Sequence, residues 1–313
     1  MNLGMSSSEA CLKDYRIGPE YSIPISRILW LPPDPVMPRV EWQPLAHDFC
    51  NFWGVEVMNS LVGQGSQKIV STHRPRTRAP KLFCFPFAGG NASSLRKLGD
   101  RLPSWLDVHY VELPGRGSRI GEELITDMEQ MVELLANDLA PLCTGLFAFY
   151  GHSMGALLAY RTAHILRERY GLNTQLLIVS GARAPHLPRS TDELHSLPDA
   201  KLIARLEQMG GTDSNILRHE DLRNIMLKIV RADFKMLNGA FSLGIEPLSC
   251  PILAFGGDHD AFVDQEGVEG WRFQATGEFH CSFFHGGHFF IWDNILDITK
   301  LMELKISSVF RSG

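Results

Sequence analysis

No run of apolar residues in this 313-residue chain is long enough to cross a bilayer, which takes about 20. Runs such as Leu176–Val179 and Phe283–Phe284 stop after a few positions. The N-terminus, Met1-Asn2-Leu3-Gly4-Met5-Ser6, has no basic stretch leading into an apolar one, so a secretory signal is not expected and a cytoplasmic location is. Excess positive charge is missing as well: the formal net charge is -5, which leaves no basic footprint for nucleic acid. None of the six cysteines forms a C-x-x-C pair, and Cys84 sits inside an apolar strand pattern, so reduced thiols are expected. There is no phosphate-binding G-x-x-x-x-G-K-S/T loop, no dinucleotide fingerprint and no metal-ligand spacing, and no cofactor is expected. Internal repeats, low-complexity tracts and coiled-coil heptads are lacking too, which makes a monomer the default.

Against these absences, residues 147–155, Phe-Ala-Phe-Tyr-Gly-His-Ser-Met-Gly, stand out. Phe147, Ala148, Phe149 and Tyr150 read as a short buried strand, Gly151-His152-Ser153-Met154-Gly155 matches G-x-S-x-G, and Ala156, Leu157, Leu158, Ala159, Tyr160 and Ala163 read as a buried helix. Such a turn presses the serine into a strained backbone and points its hydroxyl outward. Bulk two residues before or after would meet the neighbouring helix or strand, which accounts for a glycine at both places. The first amides of the helix face the hydroxyl and favour a developing negative charge. Ser153 is therefore the expected nucleophile.

Around this stretch the chain alternates. Leu82–Phe87, Val108–Leu113, Gln175–Gly181, Pro251–Gly257 and Phe279–Phe284 read as strands. Helical periodicity fills 91–102, 128–142, 264–273 and 289–309. Continuous apolar strands alternating with helices predict an α/β fold, a mostly parallel sheet covered on both faces. The alternation stops over 184–247, where helices through Met209 and from Leu222 to Phe241 predict a lid over the carboxyl ends of the strands. Residues 1–57 differ from the rest: Pro24, Pro32, Pro33, Pro35 and Pro38 break regular structure, and Trp30, Trp42 and Trp53 follow no period. The composition favours an irregular tail over a docking arm; a start at Met58 would leave about 250 residues, a common size for one α/β domain. Residues 58–80 read as a flexible lead-in, so 1–80 is an irregular extension and 81–313 one domain.

A serine hydroxyl needs a base within hydrogen-bond reach and the base needs an orienting acid. In chain order the partners should follow as acid, then histidine, each on a loop after a strand. His288, behind Gly286-Gly287 at the end of the last strand, is the expected base in preference to His285. Asp258 and Asp260 compete for the acid, and spacing alone leaves both open; the other would serve as a turn residue. His152 reads as a packing residue. Acyl-bond cleavage also needs two preorganised amide donors for an oxyanion. The Met154 amide is one, and Phe87, with Ala88 as alternative, supplies the other.

Taken together, Leu82–Gly90, Leu113-Pro114-Gly115-Arg116-Gly117, Gly151–Gly155, Gly256-Gly257-Asp258-His259-Asp260 and Gly286-Gly287-His288-Phe289-Phe290 resemble the type II thioesterases that accompany non-ribosomal peptide and polyketide synthases. The resemblance covers about residues 81–310, and 1–57 have no counterpart in it. It implies an α/β-hydrolase fold with a helical lid. The family's serine falls on Ser153, its aspartate on Asp260 and its histidine on His288. It further implies hydrolysis of acyl thioesters on the phosphopantetheine arm of acyl or peptidyl carrier proteins, clearing aberrant acyl groups. The residues read on their own support acyl transfer through a serine nucleophile, which a carboxylesterase or an acyltransferase on small substrates would share.

Overall fold

The computed structural model describes residues 79–188, 193–211, 214–238 and 246–311, together with the backbone of three short strands before them. Two of these, β1 (Arg16–Ile17) and β2 (Tyr21–Ser22), pair antiparallel with each other. Trp30, Trp42, Trp53, Cys11 and Cys50 lie outside the described residues.

The main sheet is built from β3 (Ile69–Ser71), β4 (Lys81–Phe85), β5 (Asp107–Val111), β6 (Phe147–His152), β7 (Leu176–Ser180), β8 (Ile252–Gly257) and β9 (Phe279–Phe284). Their order is β3-β5-β4-β6-β7-β8-β9, and every pair from β5 to β9 is parallel. The strands from β4 to β8 are buried along their whole length, so they read mostly as apolar runs rather than alternations, although β5 also buries Asp107 and His109. Alternate residues still part to opposite faces. Phe83 and Phe85 pack with the helices α2 (Met128–Leu139) and α3 (Met154–Tyr170), while Leu82 and Cys84 pack with Leu95, Leu98 and the last helix, α8 (Ile295–Arg311). The predicted two-faced cover is thus observed.

Three local expectations change. The stretch 58–80, read as part of an irregular extension, contains β3, which lies antiparallel on β5 with Ile69 opposite Val111. Two β-branched residues suffice to occupy an open sheet edge, yet three residues are too few to show a period. The segment 91–102 is two short pieces rather than one helix: a 3-10 turn at Ala92–Leu95, capped by the Asn91 side chain, and α1 (Arg96–Gly99). The closing helix begins at Ile295 rather than Phe289, because Asn294 donates its side-chain amide to the His285 carbonyl and holds the intervening residues as a loop.

Between β7 and β8 the chain leaves the sheet for α4 (Asp199–Met209), α5 (Ser214–Arg218) and α6 (Glu220–Asn238). These carry a small core of their own, Leu202, Leu206, Ile216, Met226, Leu227, Val230 and Phe234. A further short helix, α7 (Gln265–Glu269), follows β8. Strand order reverses between β4 and β6, and a parallel sheet opens its crevice outside the carboxyl ends at that point.

Candidate active site

At that crevice β6 ends on His152 and α3 begins at Met154, with Ser153 between them at φ 54°, ψ -118°. Among the described residues it is the one non-glycine residue with positive φ. Such a conformation costs of order 1–3 kcal/mol and persists where the surroundings over-determine it. They do so here. A Cβ on Gly151 would lie 2.2 Å from the Gly155 carbonyl, and one on Gly155 would lie 2.2 Å from the Phe85 carbonyl oxygen on β4. The Ser153 amide is fastened to the Ser180 carbonyl of β7 at 2.7 Å.

The loop after β9 brings His288 against this serine, Nε2 to Oγ at 2.9 Å. The loop after β8 brings Asp260 to the other side of the ring, Oδ2 to Nδ1 at 2.8 Å. The remaining Asp260 oxygen accepts the amides of Phe262 at 2.8 Å and Val263 at 3.2 Å, and its side chain is fully buried. Asp258, the competitor, faces away. It is half exposed, accepts the Gly286 amide at 2.9 Å, and meets His259 at 2.6 Å and His285 at 3.3 Å. Those bonds tie the β8 loop to the β9 loop and hold the Asp258 carboxyl down to about 2. His285 therefore serves that tie and does not reach Ser153.

His152 is fully buried, with Nδ1 3.0 Å from the Ser180 hydroxyl and its ring packed among Phe87, Phe289 and His288. Burial, with His288 beside it, pushes its pKa well below 6.5, so the ring stays neutral and packs as expected. Among the described residues the cysteines offer no rival nucleophile. Cys84, Cys143, Cys250 and Cys281 are unpaired, and burial raises Cys281 to about 11 and Cys143 and Cys250 to about 12.

Across from Ser153 the residues after β4 make a tight turn in which the Gly90 amide bonds the Phe87 carbonyl at 2.8 Å. Gly89, at φ 78°, gives its amide to Asp233 of α6 at 2.7 Å. Among the described residues, this leaves the Phe87 and Ala88 amides as the uncommitted donors of the turn, as the Met154 amide is at the start of α3. A cavity of about 240 Å³ opens over Ser153 and His288. Leu157 and Phe262 belong to its sheet side; Leu206, Met226, Val230 and Phe234 line it from the helical insertion. The insertion therefore lies over the carboxyl ends of the strands, where it was expected, and forms a wall of the site. Most of its lining is apolar and suits an acyl chain, with Arg183 and Arg205 also among the lining residues.

The thioesterase domain model matches residues 80–304. The chain belongs to the thioesterase domain family. Over 243 residues the thioesterase is 36% identical to the gramicidin S biosynthesis protein GrsT of Aneurinibacillus migulanus, spanning 78% of this chain and 95% of that one. It is 34% identical over 230 residues to thioesterase PikA5 of Streptomyces venezuelae, covering 73% and 81% of the two chains. Among solved structures, YbtT, the type II thioesterase from the yersiniabactin pathway, superposes with a TM-score of 0.69 at 28% identity, over 78% of this chain and all of that one. The family and the α/β-hydrolase fold implied by the five motifs are those found. Among the described residues, no helix of the thioesterase is long and apolar enough to cross a membrane.

Three buried ionisable groups of the thioesterase, Asp233, Arg116 and Glu112, were given no role by the sequence reading. Asp233 and Arg116 pair through two bonds, 2.6 and 2.7 Å, with side chains 0% and 1% exposed. One signal was available: Asp233 falls among Ile229, Val230, Phe234 and Leu237 on the apolar stripe of α6, where an acid needs a partner. Glu112, at the end of β5, accepts the amides of Ala92 and Ser118, and burial raises its pKa to about 7.

Proposed function

We propose that Ser153, His288 and Asp260 act as nucleophile, base and orienting acid in hydrolysing acyl thioesters from the phosphopantetheine arm of carrier proteins, as an editing enzyme of non-ribosomal peptide or polyketide assembly in the cytoplasm. The observation that carries this reading is the unbroken hydrogen-bonded line Oγ–Nε2, Nδ1–Oδ2 at 2.9 and 2.8 Å, set at the base of an apolar cavity. Family membership and the names of the relatives support the thioester and the carrier protein.

In this mechanism Ser153 Oγ attacks the thioester carbonyl while His288 Nε2 takes its proton. Negative charge gathers on the carbonyl oxygen, and the amides of Met154 and Phe87 (or Ala88) receive it. The carbon–sulfur bond breaks, and His288 returns the proton to the departing thiolate. Water, deprotonated by the same imidazole, then adds to the acyl-serine, and the acid leaves as Oγ regains its proton. Asp260 holds the ring with Nδ1 protonated, so that Nε2 is the free acceptor.

The test is intact-protein mass spectrometry of an acetylated carrier protein incubated with the wild type and with Ser153→Ala. Loss of the acetyl mass with wild type alone is the expected result. An acetyl group that survives the wild type while a small ester is cleaved would replace the carrier-protein reading with a carboxylesterase.

A further inference from the structure

Asp233 stands at the meeting point of three elements that the chemistry needs in register. Its Oδ2 accepts the Gly89 amide at 2.7 Å and Arg116 Nη1 at 2.6 Å, and its Oδ1 accepts Arg116 Nη2 at 2.7 Å. Arg116 Nη1 also approaches the Gly90 carbonyl at 3.4 Å. One carboxylate thus grips the Phe87–Gly90 turn directly at Gly89, and through Arg116 at Gly90. The grip comes from the insertion, since Asp233 belongs to α6. One helical turn earlier, Val230 closes on the same turn so tightly that a Cβ on Gly89 would sit 2.7 Å from its Cγ2. Val230 and Phe234 also line the acyl cavity.

We infer that Asp233 is a positioning residue for the oxyanion-binding turn, fixing the direction of the Phe87 and Ala88 amides and tying that direction to the seat of α6. The inference rests on the proposed reading that this turn supplies an oxyanion donor. Its physical basis is that a charged acceptor binds a backbone amide about twice as strongly as a neutral one, and that the planar guanidinium fork leaves the carboxylate no rotational freedom. With the Gly89 N–H held by Asp233 and the Phe87 carbonyl held by the Gly90 amide, the peptide planes on either side of Ala88 are both fixed, and the Ala88 amide, with that of Phe87 just before it, remains for the substrate. A helix that shifts with the acyl chain it contacts would carry the turn with it.

The experiment compares wild type with Asp233→Asn and with the double variant Asp233→Asn/Arg116→Gln, which removes both buried charges together. Deacylation of an acyl carrier protein provides kcat and KM, and an alkyl trifluoromethyl ketone, which takes up Ser153 Oγ to form a tetrahedral oxyanion, reports donor geometry. The inference expects kcat and ketone affinity to fall together by about 10- to 100-fold, short of the 10²–10³ seen when a donor is deleted outright. KM should stay within about twofold, since ground-state binding is untouched. A variant that melts earlier yet keeps kcat and ketone affinity would overturn the inference, leaving Asp233 as a packing latch. If neither variant folds, amide exchange on the wild type decides. Gly89 should be protected with or without ketone, and fast exchange at Gly89 in the free enzyme would overturn the grip. The parent reading fails separately: the ketone would leave the Phe87 and Ala88 amides unprotected, or Ser153→Ala would still deacylate.

Discussion

Replacing Gly155 by alanine tests the elbow geometry with a single methyl group. The new Cβ would lie 2.2 Å from the Phe85 carbonyl oxygen and 2.7 Å from that of Pro86, where real Cβ contacts stay beyond 3.0 Å. Backbone must therefore yield by about 0.8 Å, in an interior packed too densely to absorb it. β4 has little freedom to retreat, being hydrogen-bonded to β5 on one side and β6 on the other. Intrinsic helix propensity favours alanine by about 1 kcal/mol, so the sign of the result discriminates between effects. Overpacking at this level costs about 1–3 kcal/mol and more against backbone, and we expect a net loss of about 2–3 kcal/mol. That corresponds to a fall in Tm of about 5–10 °C for a domain of this size. Whatever displacement β4 accepts passes into Pro86 and Phe87, the start of the turn proposed to bind the oxyanion. A shift near 1 Å in such a group costs about 10²-fold in rate. Thermal melting by circular dichroism and kcat on an acylated carrier protein measure the two effects. Gly121→Ala is the control: the position is exposed, with nothing within 4 Å of the added methyl, and stability should stay within about 1 kcal/mol of wild type. If Gly155→Ala keeps its Tm and its kcat, the close packing of elbow against strand is not what demands glycine there.

Asp260→Asn should lower kcat by about 10⁴-fold by removing the acceptor that sets the His288 tautomer, whereas Asp258→Asn, which loosens a loop tie, should cost less than about tenfold; steady-state deacylation separates them. Glu112 makes folding pH-dependent. A carboxyl raised to about 7 when folded favours the fold most below its unfolded value of 4.5 and loses that advantage as the pH climbs to about 7. Urea unfolding of Glu112→Gln against wild type should show a stability difference that shifts in favour of the variant across this window, by about 3 kcal/mol in all, and flat behaviour would refute it. His164, which burial and Arg167 hold near 3, acts oppositely and destabilises the fold as the pH drops below 6.5, which is why the difference and not the raw curve is read. Met226→Trp, at the insertion wall, should cut kcat/KM for long acyl chains at least about tenfold while sparing acetyl, as read from a chain-length series.

The strands were legible because a sheet covered on both faces makes most buried strand positions apolar, as in Leu82–Phe85 and Leu176–Val179, although β5 buries Asp107 and His109 as well. The positions of Ser153 and His288 could be read because each follows a strand, flanked by glycines that close approach requires. Asp260 could not be separated from Asp258 by spacing. What distinguishes them is which carboxyl turns inward, and that depends on the amides of Phe262, Val263 and Gly286. β3 was too short to show a period. The Arg116–Asp233 pair joins residues 117 positions apart, so the acid on the apolar stripe of α6 pointed to a partner without saying where it was.

The helices between β7 and β8 enclose their own apolar cluster yet provide a wall of the substrate cavity. That division makes chain-length preference a property of an exchangeable cassette. A transplant of residues 193–238 from a relative with different appetite would carry its acyl wall along and leave Ser153, Asp260 and His288 on the recipient's loops. The graft has one compatibility condition that hydrophobic matching would overlook: the incoming helix must present an acid to Arg116, or the recipient receives a buried cation without a partner.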